Sequence, residues 1–174
     1  MSAVPSPILQ DVETGVDPGA PKLAAKATAY FVVVALATAV AVVPLLARLK
    51  PDTPGWATFL LLGGIAAVAQ LFVVRTPRNQ SYHTTIVFLV PAAMLLPPEL
   101  VALMGLIQHI PEWLKNRSAW YIQIFNICNW TLAILAAYGS FHGIIGLGSG
   151  SDFDYALAGF ASAVAIVGVN HVLM

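Results

Sequence analysis

Along most of this chain apolar residues do not alternate with polar ones. They come in long runs separated by short polar clusters, a pattern that predicts membrane-spanning helices and not half-buried strands. The first run, Ala27 to Leu49, is about 23 residues long, enough for a helix to cross a bilayer, with Pro44 in its last turns and Arg48-Leu49-Lys50-Pro51-Asp52 closing it. Trp56 to Arg75 is a second run, ending in the basic stretch that continues to Arg78. Ser81 to Leu114 is apolar except for Pro97-Pro98-Glu99 at its middle. Pro98 suits a first helical turn and Glu99 there meets the positive end of the helix dipole, so the segment predicts two short helices, 81–97 and 98–114, joined by a tight hairpin. A fifth helix is expected over 119–139 and a sixth over 153–174, with a glycine-rich loop between them at Gly143, Gly146, Gly148 and Gly150.

The expected fold is therefore all-α, a polytopic membrane helical bundle of about six transmembrane helices. Residues 1–26, with Pro5, Pro7, Pro18, Pro21, Asp11, Glu13 and Asp17 and no hydrophobic period, are expected to form a disordered cytoplasmic tail ahead of the helical domain 27–174. They do not read as a signal peptide, because the apolar run starts late and is too long. Composition strengthens the membrane reading: 59% of residues are hydrophobic, 9% are charged and mean hydropathy is +0.82, against about 25% charge in soluble domains. The formal net charge is zero, which gives no basic surface for nucleic acid. The single cysteine, Cys128, forms no intramolecular disulfide.

Basic residues orient the bundle. With six spans, Lys22, Lys26, Arg75, Arg78, Lys115 and Arg117 share one side and only Arg48 and Lys50 lie opposite. Because cytoplasmic loops are enriched in Lys and Arg, both termini are expected in the cytoplasm of a bacterial inner membrane. Projected onto that topology, the polar residues crowd the cytoplasmic half: Gln70, His83, Thr84, Thr85, Gln108, His109, Glu112, Gln123, Asn126, Asn129, Asn170 and His171. Of these, His83, Gln108, His109, Glu112, Asn126, Asn129, Asn170 and His171 are the candidates for ligand binding or coupling, their side chains expected to face the bundle. Gln108 and His109 stand four and three residues before Glu112, so either shares a helix face with it, while Gln123, Asn126 and Asn129 form a stripe. Asn and Gln also serve as hydrogen-bonding glue between membrane helices, and that reading stays open for Asn126 and Asn129. Pairs such as Gly159/Ala163 and Ala161/Ala165 suit close packing or a homodimer through small-residue faces.

Catalytic patterns are missing. No His-x-x-x-His or Glu-x-x-His spacing occurs, so neither a metal nor another cofactor is expected; Gly146-Leu-Gly148-Ser-Gly150 lacks the lysine of a phosphate loop; no G-x-S-x-G elbow surrounds a serine. An enzymatic role for these residues is not expected.

Tyr82-His83-Thr84-Thr85, Phe88-Leu-Val-Pro91-Ala92, the run Gln108-His-Ile-Pro-Glu-Trp113-Leu-Lys-Asn-Arg117 and Phe125-Asn-Ile-Cys-Asn129 together resemble the amino-terminal multi-helix membrane region found ahead of HD-GYP phosphohydrolase or GGDEF output domains, largely in actinobacteria and other soil bacteria. The resemblance covers about residues 27–174. It implies a cytoplasmic, metal-dependent enzyme domain after the last helix, acting on cyclic dinucleotides. The chain holds no His-Asp pair of the HD type and no Gly-Gly-Asp-Glu-Phe run, so no catalytic residue carries over. The expectation is a membrane sensory or anchoring domain working with a cytoplasmic signalling domain or partner. The competing expectation is a small-solute transporter or the substrate-binding membrane subunit of one, since short helices with a proline-broken hairpin also suit a carrier.

Overall fold

The computed structural model describes residues 25–72, 74–75, 81–82, 84–117 and 119–174. Among them are seven helices: α1 (Ala25–Leu46), α2 (Trp56–Gln70), α3 (Ile86–Leu95), α4 (Pro98–Ile107), α5 (Ile110–Asn116), α6 (Trp120–Leu147) and α7 (Asp152–Leu173). A two-residue antiparallel ladder, β1 (Val74–Arg75) against β2 (Ser81–Tyr82), joins α2 to α3. The expected all-helical class holds. Three helices, α1, α6 and α7, are long and apolar enough to cross a membrane, so the chain is a membrane protein. Of the expected tail, residues 1–24 lie outside the described residues, as does His83, while Ala25 and Lys26 already belong to α1.

The helix boundaries differ from expectation in three places. α2 stops at Gln70 and α3 starts only at Ile86, because the chain between them turns through the β1–β2 ladder. The expected fourth span is divided into α4 and α5 at Gln108-His109. Pro111 follows directly; it has no N–H to bond the carbonyl of Ile107 and its ring crowds that carbonyl, so the ladder is interrupted there. α6 runs on to Leu147, so Gly143 and Gly146 are helical and only Gly148 and Gly150 lie in the loop. Phe141, buried beyond the expected end at 139, packs this extension. Gly150, at φ 75°, makes the left-handed turn before α7. Ser151 then caps α7 by accepting from the Asp154 amide, while the Asp154 carboxylate accepts from the Ser149 and Ser151 amides and hydroxyls.

Helix α6 is the centre of the bundle, packed against α1, α3, α4 and α7. The core joins Leu89 and Ala93 of α3 with Leu96 just after it, Leu100, Val101 and Met104 of α4, Trp130, Ile134 and Ala137 of α6, and Ile166 of α7. α4 and α6 run antiparallel and close: a Cβ on Gly105 would lie 2.8 Å from both Cα and Oγ1 of Thr131. Only glycine fits that crossing. On the outside, Val33, Leu36, Val40 and Val43 of α1 and Phe160, Val164 and Val167 of α7 are exposed, an apolar surface of the kind lipid covers.

Two ends of the bundle are defined by contacts. At one, the Tyr30 hydroxyl near the start of α1 donates to the Leu173 carbonyl at the end of α7 (2.7 Å), Phe31 packs edge-on against Trp120, and Lys115 Nζ donates to the Leu71 carbonyl (2.8 Å). At the other, the α1–α2 turn meets the α3–α4 hairpin: Gly55, at φ 96°, sits where a Cβ would be 3.4 Å from Pro97 Cδ.

Candidate functional site

The end of α2, the α4–α5 break and the start of α6 bring their polar residues together. Breaking the helix at Gln108-His109 turns the His109 side chain into the bundle, where it is 1% exposed and its ring lies 5.9 Å from that of Trp130. Its Nδ1 is 3.3 Å from Gln70 Nε2 and 3.4 Å from Glu112 Oε2, and its backbone carbonyl accepts from Gln123 Nε2 at 3.0 Å. One residue thus joins α2, α5 and α6. The ring nitrogen has a single position for a proton or a lone pair. It accepts from the Gln70 amide when unprotonated and donates to the Glu112 carboxylate when protonated, but does not serve both at once. The two distances, similar and at the long end of hydrogen bonding, fit a shared position. Glu112 is partly exposed, at 21%, so the network opens to the surface on its α5 side.

A second group lies along α6. Asn129 Nδ2 donates to Asn170 Oδ1 at 2.8 Å, tying α6 to α7, and Thr38 Oγ1 reaches the Cys128 carbonyl at 3.4 Å, tying α1 to α6. Asn170 Nδ2 in turn contacts Met174 Sδ at 3.6 Å. Several buried atoms have no hydrogen-bond partner among the described residues: both amide atoms of Gln108, Thr85 Oγ1 and Asn129 Oδ1.

The sequence candidates are therefore distributed as follows. His109 and Glu112 meet, as their spacing implied, and Asn129 meets Asn170. Gln108, next to His109 in sequence, is buried but makes no hydrogen bond to the network among the described residues. Asn126 is half-buried and makes no side-chain hydrogen bond among the described residues. His171 is exposed, against the expectation that it faces the bundle. His83 lies outside the described residues. Gln70 and Gln123, polar positions not counted among the candidates, are part of the network; their depth matching that of His109 was the signal. No group of three His, Cys, Asp or Glu residues placed to hold a metal occurs among the described residues.

Compared with protein-family models, with curated proteins and with solved structures, the chain matches none.

Proposed function

We propose that this chain is the membrane sensory and anchoring part of a bacterial signalling protein, crossing the inner membrane six times with both termini in the cytoplasm. The observation that carries the reading is the His109 network. It is a buried polar junction of α2, α5 and α6 at which Gln70 and Glu112 compete for the same nitrogen, Nδ1. Exchanging Gln70 for Glu112 at Nδ1 releases α2 from the break and closes the bond within the first turn of α5, which is a two-state packing element of the kind a stimulus can bias. Its end of the bundle is also where the Tyr30–Leu173 bond holds the end of α7. From there a change of packing passes to whatever follows or binds on the cytoplasmic side.

The test fuses a reporter enzyme after Met174 and compares output with thermal stability. Glu112→Gln removes the carboxylate that competes for His109, and Gln70→Leu removes the other partner. The two variants should shift output in opposite directions, each by at least about fivefold, the low end of ordinary coupling energies. Output that tracks folded fraction in both variants would reduce the network to packing glue.

A second reading, a small-solute carrier, is favoured by Gln108, whose amide is buried with both polar atoms unpartnered among the described residues. Uptake by proteoliposomes containing the purified chain, lost in Gln108→Leu, would select it over the signalling role.

A further inference from the structure

A cavity of about 400 Å³ opens beside α5 and the start of α6, lined by Trp113, Leu114, Arg117 and Trp120. Arg117 makes no ion pair or side-chain hydrogen bond among the described residues. It is also the one non-glycine residue with positive φ (47°) among them, held in the left-handed cap of α5. Trp113 and Trp120 are 43% and 63% exposed. A guanidinium without a partner among the described residues, in a cavity it shares with two indoles, suits a phosphate: arginine binds it in bidentate fashion, and indoles settle at headgroup depth.

A second cavity, about 240 Å³, lies between α1 and α6 and is almost wholly apolar, lined by Ala27, Tyr30, Phe31, Tyr121, Ile122 and Phe125. Trp120 separates the two. Its ring packs edge-on against Phe31 (centroids 6.4 Å apart) and Tyr121 (5.9 Å), both lining the second cavity. One cavity is thus cationic and aromatic and its neighbour hydrocarbon-like, on the flank of a membrane protein. Lys26 and Lys115 add positive charge at the same end, which attracts anionic lipid.

We propose that the Arg117 cavity binds the phosphate headgroup of an anionic phospholipid whose acyl chain lies in the neighbouring cavity against Tyr30, Phe31 and Phe125. Such a lipid touches Tyr30, the residue that bonds the end of α7, so the occupied site bears directly on how α7 is held. The site requires only that the chain sit in a bilayer and stands apart from the His109 network; loss of either leaves the other to be judged on its own test.

The experiment uses the full chain, purified from bilayers containing equal amounts of phosphatidylglycerol and phosphatidylcholine, with retained lipid measured by native mass spectrometry. Phosphatidylglycerol should be enriched about fivefold, the worth of one basic residue near a membrane surface. Arg117→Gln should abolish that preference, Arg117→Lys should keep most of it, and Phe125→Ser should lower total retention. Each variant's melting temperature is measured beside the wild type, so that loss of preference in an equally stable protein is read as loss of the site. Equal retention of the two lipids, or a preference unchanged in Arg117→Gln, overturns the proposal. Displacement of the retained lipid by millimolar inorganic phosphate or glycerol 3-phosphate also overturns it, because that would mark a site for a soluble phosphate to which the acyl chain adds nothing.

Discussion

Asn170 and His171 are neighbours in sequence and at nearly the same depth in α7, yet one bonds Asn129 and the other is exposed. Successive helical residues point about 100° apart, so depth alone does not say which way a side chain faces. That is why the inward placement of His171 failed while the His109–Glu112 pair, fixed by spacing within one turn, was legible. Gln70 illustrates the opposite limit: its meeting with His109, 39 positions away, depends on how α2 packs and has no local signature. The difference can be measured. Asn129→Ala should lower stability by about 0.6 to 2 kcal/mol, the range for interhelical hydrogen bonds in membranes, whereas His171→Ala should change it by less than about 0.5 kcal/mol. Thermal unfolding of the detergent-solubilised protein distinguishes the two. Equal effects would mean that the α6–α7 hydrogen bond adds nothing to stability.

Most helices were readable from apolar runs, but the α4–α5 division and the helix ends were not, and glycine accounts for the error at the end of α6. In soluble loops glycine marks a turn; in membrane helices it is common, and Gly143 and Gly146 simply continue α6. Nothing in the structure explains their being glycine, since a Cβ at either would meet no atom within 4 Å. Gly105 differs. Its missing side chain sets the distance between α4 and α6, because a Cβ there would press on the Thr131 backbone, which cannot rotate away. Gly105→Ala should cost about 1 to 3 kcal/mol through forced separation of the two helices. Gly63→Ala, in the interior of α2 with open space around it, should be neutral or stabilising by up to about 1 kcal/mol. Urea or thermal denaturation of both variants checks the contrast, and a mild Gly105→Ala would show that α4 slides freely over α6.

The bundle as a whole follows the alternation of the polar breaks. The Lys115–Leu71 bond and the Gly55–Pro97 approach lie at opposite ends, an arrangement that supports the proposed six crossings. Cysteines placed at Glu99 and Lys115 in a Cys128→Ser background should react with an impermeant thiol reagent from opposite faces of the membrane; reaction of both from one face would remove the α3–α4 hairpin from the bilayer. The helices assigned to these proposed crossings are far from equal, and among the described residues α1, α6 and α7 are the ones long and apolar enough to span a membrane. α1 and α7 have 22 residues each and α6 has 28, but α2 has 15 and α3 only 10. At 1.5 Å per residue the long helices reach about 33 to 42 Å and the short ones about 15 to 22 Å, against a hydrocarbon layer of about 30 Å. Under the proposed six crossings the surrounding bilayer would not be uniformly thick: it would be pinched along the α2–α3 flank and stretched, or met by tilt, along α6 and α7. Each ångström of misfit costs a fraction of a kcal/mol. Under that proposal two such bodies would lower the cost by sharing the deformed lipid between them, and so would be drawn together sideways through the membrane before any of their side chains touched.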